Sequence, residues 1–440
     1  MSVLTRVRYT VSADTSETVN TDNGETLSAD TSETVSADTS ETVSVNTSNK
    51  QLWRSGDVGG GVGGGVGGGV GGGRCFSKFV HKQRSSERIE ENQELQSQEE
   101  RDKKTLILAQ INPTQCTTND AIHTLGTCMP LVECRSTGGV AKGYCVSGLA
   151  VCCLATRTCN TATRQNNTYF VNPSSPELTC PLTINLMSNN ICQLRLDFIE
   201  FILSQPSSDS VCDTELLIVS GGSSNLPAIC GTMTGQHIYY TVDQSVGPVK
   251  LTIDRKDLTS SGNVWNIKVT QIPCDSRYRA PEGCLQYYTQ AQGTINSFNY
   301  ANTATVPIQA ETRQLANQDY SVCIKQADNA CGITYTSNNV GGVFSFTLTG
   351  EANSTSAGEF NKDFLNTNCT TDYIVIPGGF YTHGGSESIP ADRYCGVGFP
   401  TSVVSTFHPF LLYVRTDGTE DMDMNNRGFS LNYVQTDICE

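Results

Sequence analysis

The sequence predicts an all-β protein of antiparallel sandwiches, preceded by a long stretch with no core of its own. Two patterns carry the sandwich prediction. Apolar residues alternate with polar ones in short runs: Leu194, Leu196 and Phe198; Trp265, Ile267 and Val269; Phe344, Phe346 and Leu348; Phe429, Leu431 and Tyr433. A period of two is that of a strand with one buried face. Breakers such as Ser220-Gly221-Gly222, Pro377-Gly378-Gly379 and Asp417-Gly418 separate the runs, with no long helical period between them. Many short strands between turn signals read as a sandwich.

Cysteine spacing supplies the third observation. Cys159, Cys180, Cys192, Cys212, Cys230 and Cys274 form one set, and Cys284, Cys323, Cys331, Cys369, Cys395 and Cys439 repeat its order. A tighter set precedes them: Cys116, Cys128, Cys134, Cys145, Cys152 and Cys153. Closed sets of six read as disulfide frameworks, which persist in oxidising compartments. Cys75 alone stands outside the sets. It is either free or links two chains, and the sequence favours neither.

The elements follow in order. Residues 1–104 are expected to be disordered. SADTSETV stands at 12–19, 28–35 and 36–43, VGGG repeats across 58–73, and 77–104 is dominated by charge. Such segments bury too little apolar surface to offset chain entropy. The octad is either a sugar-bearing Ser/Thr tract or a neutral repeat expansion. Residues 116–153 hold six cysteines in fewer than 40 residues, a unit too small to stand without staples. Its three bridges allow fifteen connectivities on spacing alone. Residues 159–274 and 284–439 are the two sandwiches.

Bulk properties narrow the function. A net charge of −15 over 440 residues repels phosphate backbones, so nucleic acid is not expected as a partner. No apolar run is long enough for a transmembrane helix. MSVLTRVRYTV lacks the apolar core of a secretory signal, although the cysteines imply export. We therefore expect this N-terminus to be incomplete, mis-assigned or alternative. Sequons stand at Asn46, Asn166, Asn353 and Asn368. None of His81, His123, His237, His383 and His408 forms HExxH, and GxSxG is absent, so no catalytic residue is expected.

Each long block resembles a CUB domain, a jelly-roll-like β-sandwich of exported proteins. The matching segments are TYFVNPSSPELTCPLTI, CQLRLDFIEFIL, CDTELLIVSGG, PAICG and VWNIKV in the first block, and YSVCI, CTTDYIVIPGG, DRYCG, PFLLYVRTDG and RGFSLNY in the second. The resemblance implies Cys159–Cys180 and Cys212–Cys230 in the first block, and Cys284–Cys323 and Cys369–Cys395 in the second. The pairs left over, Cys192–Cys274 and Cys331–Cys439, recur in the same order, and that repetition implies a third bridge in each. The small module resembles a clip domain through its final Cys152-Cys153, which implies Cys116–Cys152, Cys128–Cys145 and Cys134–Cys153. The interval from Cys134 to Cys145 is shorter than that family's. A clip-like knot before two CUB-like blocks resembles arthropod CUB-domain-containing proteins.

Many CUB domains take calcium through one Glu and two Asp at one end of the sandwich. In the second block Asp372 and Asp417 stand where the resemblance places the Asp ligands, with Glu351 as the third; the alternative is solvated loop carboxylates. In the first block Glu215 replaces the first Asp, Ser204 lies near the expected Glu, and Asp254 and Asp257 straddle the last position, so no site is expected there. The implied function is extracellular, non-catalytic binding of protein or glycan partners with calcium as the cofactor. The alternative is a regulator of an extracellular serine-protease cascade, its clip-like module docking a protease or zymogen.

Overall fold

The computed structural model describes residues 17–20, 26–29, 111, 113–258, 262–300, 313–339, 344–350, 358–385, 388–419 and 425–437. Cys75, Asn46, Asn353, Glu351, Cys439, the VGGG tract and the charged segment lie outside them. Within the expected low-complexity region only β1 (Glu17–Asn20) and β2 (Thr26–Ala29) are described, paired antiparallel. Two compact units are distinguished, residues 1–112 with 144–150 and residues 113–143 with 151–440, and the second holds both sandwiches.

The cysteine-rich module contributes β3 (Thr114–Thr117), β4 (Leu125–Met129), the short helix α1 (Leu131–Ser136), β5 (Val140–Cys145) and β6 (Ala150–Arg157). The first sandwich follows with β7 (Thr161–Thr163), β8 (Thr168–Val171), β9 (Thr179–Ile184), β10 (Ile191–Ile202), β11 (Glu215–Ser220), β12 (His237–Thr241), β13 (Val249–Arg255) and β14 (Val264–Pro273). The second opens with β15 (Cys284–Tyr288), β16 (Gln292–Asn296), β17 (Asp319–Ile324), β18 (Gly332–Ser337), β19 (Phe346–Thr347) and β20 (Tyr373–Val375). It closes with β21 (Gly379–Thr382), β22 (Ile389–Pro390), β23 (Arg393–Tyr394), β24 (Ser402–Ser405), β25 (Leu411–Arg415) and β26 (Gly428–Thr436). Nearly every described element is a strand, as the alternation predicts.

In the first sandwich a sheet of order β11-β13-β9-β7 faces one that contains β12-β10-β14-β8. In the second, β15-β17-β25-β20-β23 faces β16-β26-β18-β24-β21-β22. The predicted faces are buried: Leu194, Leu196, Phe198, Trp265, Ile267 and Val269 line the first core, and Phe429, Leu431 and Tyr433 the second. On β10 the alternation breaks after Phe198, because a register shift against β14 between Phe198 and Glu200 inserts an extra residue. The bulge turns Ile199 and Glu200 outward and returns Phe201 to the core. The run Phe344, Phe346, Leu348 departs from expectation. Its strand covers only Phe346–Thr347, and Ser345 and Thr347 are buried as fully as Phe346 and Leu348. Phe344 is only half-buried, while Ser345 donates to Asn339 and Thr347 accepts the Arg427 N–H, so both faces are covered and period two stops distinguishing in from out.

Disulfides Cys159–Cys180, Cys192–Cys274 and Cys212–Cys230 close the first sandwich, and Cys284–Cys323 and Cys369–Cys395 the second. The module holds Cys116–Cys152 and Cys134–Cys153. Cys128, Cys145 and Cys331 are also disulfide-bonded. The module is no separate bead. Strand β6 leaves Cys152-Cys153 and pairs parallel with β8, Ala155 opposite Thr168 and Arg157 opposite Phe170. One sheet therefore runs β12-β10-β14-β8-β6-β4-β3 from sandwich into knot. The buried Tyr169 hydroxyl ties the two further, accepting the Leu125 N–H at 3.1 Å and donating to the Leu125 carbonyl. A side chain at Gly126 would meet the Cys153 carbonyl oxygen at 2.6 Å, so this crossing needs glycine.

The two sandwiches share one apolar core cluster. Around it the Gln193 side chain donates to the Ala280 carbonyl at 3.0 Å and accepts its N–H at 2.9 Å. His237, 8% exposed, points from β12 at β15, its Nε2 3.0 Å from the Tyr287 carbonyl oxygen and 3.2 Å from the Tyr287 nitrogen. Burial, with Arg195 nearby, lowers its pKa to about 4, against weaker opposition from Asp197 and the Tyr287 backbone. As the folded pKa lies below the unfolded one, its contribution to stability is whole above about pH 6.5 and is lost as pH falls toward 4. The loss expected is on the order of 3 kcal/mol. Unfolding midpoints measured from pH 7 to pH 4 are expected to fall more steeply in the native chain than in His237→Gln; parallel slopes would remove His237 from the acid response.

Candidate functional site

Two of the expected calcium residues meet at the end of the second sandwich. Strands β20 and β25 pair antiparallel, Tyr373 opposite Arg415. The residue before the first strand and those after the second are thereby forced to the same end of the sheet. Asp372 and Asp417 occupy those positions. Asp372 is 1% exposed, and its Oδ1 accepts the Asp417 N–H at 2.7 Å. Its Oδ2 accepts from Gln314 Nε2 at 2.9 Å, and the same amide donates to the Leu348 carbonyl at 3.0 Å. Thr349 Oγ1 donates to the Asp372 carbonyl at 2.6 Å, and Asp417 Oδ1 accepts the Thr419 N–H at 2.9 Å. Asn426 Nδ2 donates to the Gly350 carbonyl at 2.9 Å, one residue before Glu351.

These donors suit a hard cation in kind, since carboxylates and carbonyls are what calcium takes. Asp372 and Asp417 would hold it, with Glu351 as the expected third. Among the described residues no group of three or more His, Cys, Asp or Glu converges anywhere. The described part of the set is the carboxylate pair.

The first sandwich answers its corresponding carboxylate differently. Glu215, three residues after Cys212 as Asp372 is after Cys369, is 1% exposed. It pairs across the sheet with Arg255, whose Nε lies 2.9 Å from Glu215 Oε1. This is an ion contact without hydrogen-bond alignment. The Ser204 N–H donates to Oε2 at 2.8 Å, and Asn263 Nδ2 reaches Oε1 at 2.6 Å and Oε2 at 2.5 Å. The Arg255 guanidinium also stands 5.7 Å from the centre of the Trp265 ring. Asp254, one residue earlier, sits on the other side of the strand and bonds Thr179 at 2.9 Å. Ser204 and Glu215, named through the resemblance as departures from the calcium pattern, are thus brought together around a guanidinium. Arg255 drew no attention in sequence, because a cation beside two acids in a strand reads as surface charge.

The sequons differ in setting. Asn368 is exposed and its Nδ2 donates to the Asp363 carbonyl at 2.8 Å. Asn166 Oδ1 accepts the N–H groups of Asn167 and Gln271, and Thr168 of its sequon is fully buried. Sequence reasoning missed an open cleft of about 600 Å³ in the second sandwich, lined by Phe360, Tyr381, His383, Ile389, Glu359 and Lys362. Its residues come from separate segments, and no local pattern joins them.

Comparison with known proteins bears on the second sandwich. The model of the animal CUB domain matches residues 281–436. Residues 281–436 are a CUB domain. The candidate carboxylates Asp372 and Asp417 therefore belong to the CUB domain itself, and CUB domains are typically extracellular protein-interaction modules. Among solved structures, the CUB1-EGF-CUB2 domains of rat MASP-1 cover 62% of this chain and 100% of their own at 14% identity, with a TM-score of 0.21. The corresponding human MASP-1/3 domains cover 60% and 95%, again at 14% identity and a TM-score of 0.21. No curated protein matches the chain.

Arg255→Met leaves Glu215 buried and unpaired, so it is expected to lower stability by about 3–5 kcal/mol. The double variant with Glu215→Gln removes the orphaned charge and is expected to recover much of that loss. Denaturant unfolding of the two variants and the native chain measures both; an additive double variant would show that the two charges do not act as a pair.

Proposed function

We propose that the chain is an extracellular, non-catalytic binding protein whose CUB domain engages protein or glycan partners in a calcium-dependent manner. The observation that carries this reading is the convergence of Asp372 and Asp417 at one end of β20 and β25. Calcium there would order loop carboxylates and leave an electropositive centre for acidic or hydroxyl-rich groups of a partner. The disulfides support an oxidising compartment, and among the described residues no helix is long and apolar enough to cross a membrane. The histidines support the absence of catalysis in part: His237 is spent on the joint between sandwiches, and His123 rests on Tyr169 at 4.4 Å between ring centres.

Calorimetry of the full chain tests this. Calcium is expected to bind with a dissociation constant of about 10⁻⁴–10⁻³ M, the range of extracellular modules, and Asp417→Asn is expected to abolish the heat. Partners retained from an extracellular binding screen are expected to release in EDTA. Heats unchanged by EDTA would sink the calcium reading, and calcium-indifferent partners would confine calcium to a structural role.

A second reading assigns the cysteine-rich module to docking a serine protease or zymogen. It is supported by the bridges Cys116–Cys152 and Cys134–Cys153, and by Ile122, Val132 and Val140, exposed at 63%, 73% and 54%. Capture of purified zymogen, lost in Val132→Asp, would favour it; zymogen passing unretained would dismiss it.

A further inference from the structure

Residues 313–318 touch two places at once. Toward the CUB carboxylates, Gln314 Nε2 donates to Asp372 Oδ2 at 2.9 Å, and the Gln314 N–H donates to the Asn426 carbonyl at 3.0 Å. The Asn317 N–H donates to the Asp417 carbonyl. Thr416, immediately before Asp417, donates its hydroxyl to the Leu315 carbonyl at 2.6 Å and accepts the Gln318 N–H at 2.9 Å. Toward the first sandwich, the Ala316 N–H donates to the Ser210 carbonyl at 2.9 Å. Gln318 Nε2 donates to the Ala228 carbonyl at 3.0 Å, and Arg313 Nη1 to the Ser208 carbonyl at 3.2 Å.

Asn299 closes the same contact. Its side chain accepts the Thr232 N–H at 2.7 Å, and donates to Gln205 at 2.9 Å and to the Arg313 carbonyl at 2.8 Å. A side chain at Gly231 would lie 2.0 Å from Asn299 Oδ1, so the two chains meet with no room between them. Gln314, Leu315, Ala316 and Gln318 are exposed by 2%, 2%, 7% and 3%. A buried strap that hydrogen-bonds in both directions transmits displacement, because close packing leaves no slack to absorb it.

We infer that the first sandwich positions the Asp372–Asp417 carboxylates through this strap, with Gln314 and Gln318 as positioning residues, so that cation affinity and docking of the two sandwiches are linked. The inference rests on the proposed reading of that pair as a calcium site. Gln318 is the decisive residue. It touches neither carboxylate; it reaches Ala228 of the first sandwich on one side and Thr416 beside Asp417 on the other. Linkage is reciprocal, so calcium must in turn tighten the joint.

The test uses the full chain and calcium alone as the probe. Calorimetry compares the native chain with Gln318→Leu and with Arg313→Ala, the milder change that removes the Ser208 contact and serves if Gln318→Leu does not fold. Trypsin cleavage after the exposed Arg277 and Arg279, between the two sandwiches, is timed with and without calcium. Gln318→Leu is expected to weaken calcium by about five- to tenfold, and Arg313→Ala by less in the same direction. Calcium is expected to slow tryptic cleavage of the native chain and to lose that effect in Gln318→Leu. A merely structural role would lower the unfolding midpoint and leave the affinity unchanged. Calcium that binds native chain and both variants equally, without protecting Arg277 and Arg279, overturns the linkage and leaves the site standing. No calcium heat in the native chain overturns site and linkage together.

Discussion

A carboxylate taken out of water must be met by donors or by a positive charge, and each sandwich places one at the same end of its sheet. Asp372 meets the backbone of Asp417 and the amide of Gln314. Glu215 meets a guanidinium, a side-chain amide and the Ser204 N–H. Strand pairing causes both arrangements, since an antiparallel pair brings the start of one strand to the end of the next. What differs is the residue opposite. Arg255 stands across from Glu215, and its charge is held there covalently. In the CUB domain the described contacts of Asp372 include the Asp417 N–H and the Gln314 amide.

The same loop ends also carry the contact between sandwiches. Ser208, Ser210, Ala228 and Thr232 of the first sandwich present backbone groups to Arg313, Ala316, Gln318 and Asn299 of the second. Gln193 and His237 likewise pair with Ala280 and Tyr287. Buried backbone groups need partners, and here the partner is the neighbouring sandwich. The cysteine-rich module is fused by a third route, through the sheet itself, along β6 and β8. Knot, first sandwich and CUB domain are joined by hydrogen bonds as well as by chain.

Much of the fold was legible because its determinants are local. Leu194, Leu196 and Phe198 alternate because a strand turns each successive side chain to the other face. The alternation failed at Ile199, where a bulge shifts the phase, and after Phe344, where hydrogen-bonded Ser345 and Thr347 are buried as fully as Phe346 and Leu348. Of the candidate site, Asp372 and Asp417 could be named from the resemblance to CUB domains, whereas Gln314 and Gln318 could not. Glutamine carries no spacing signature, and their partners lie 58 and 90 residues away in sequence.

The sequence by itself determined the strand-rich class and the grouping of the cysteines, since periodicity and spacing act over a few residues. The resemblance and the internal repetition then named bridges, of which Cys116–Cys152, Cys134–Cys153, Cys159–Cys180, Cys192–Cys274, Cys212–Cys230, Cys284–Cys323 and Cys369–Cys395 are described. Only the tertiary structure decided that Arg255 faces Glu215, that the knot extends the first sheet, and that residues 313–318 strap the CUB carboxylates to the neighbouring sandwich. Each of those depends on which distant backbone groups are left unpaired once the sheets close, a quantity that no local pattern encodes.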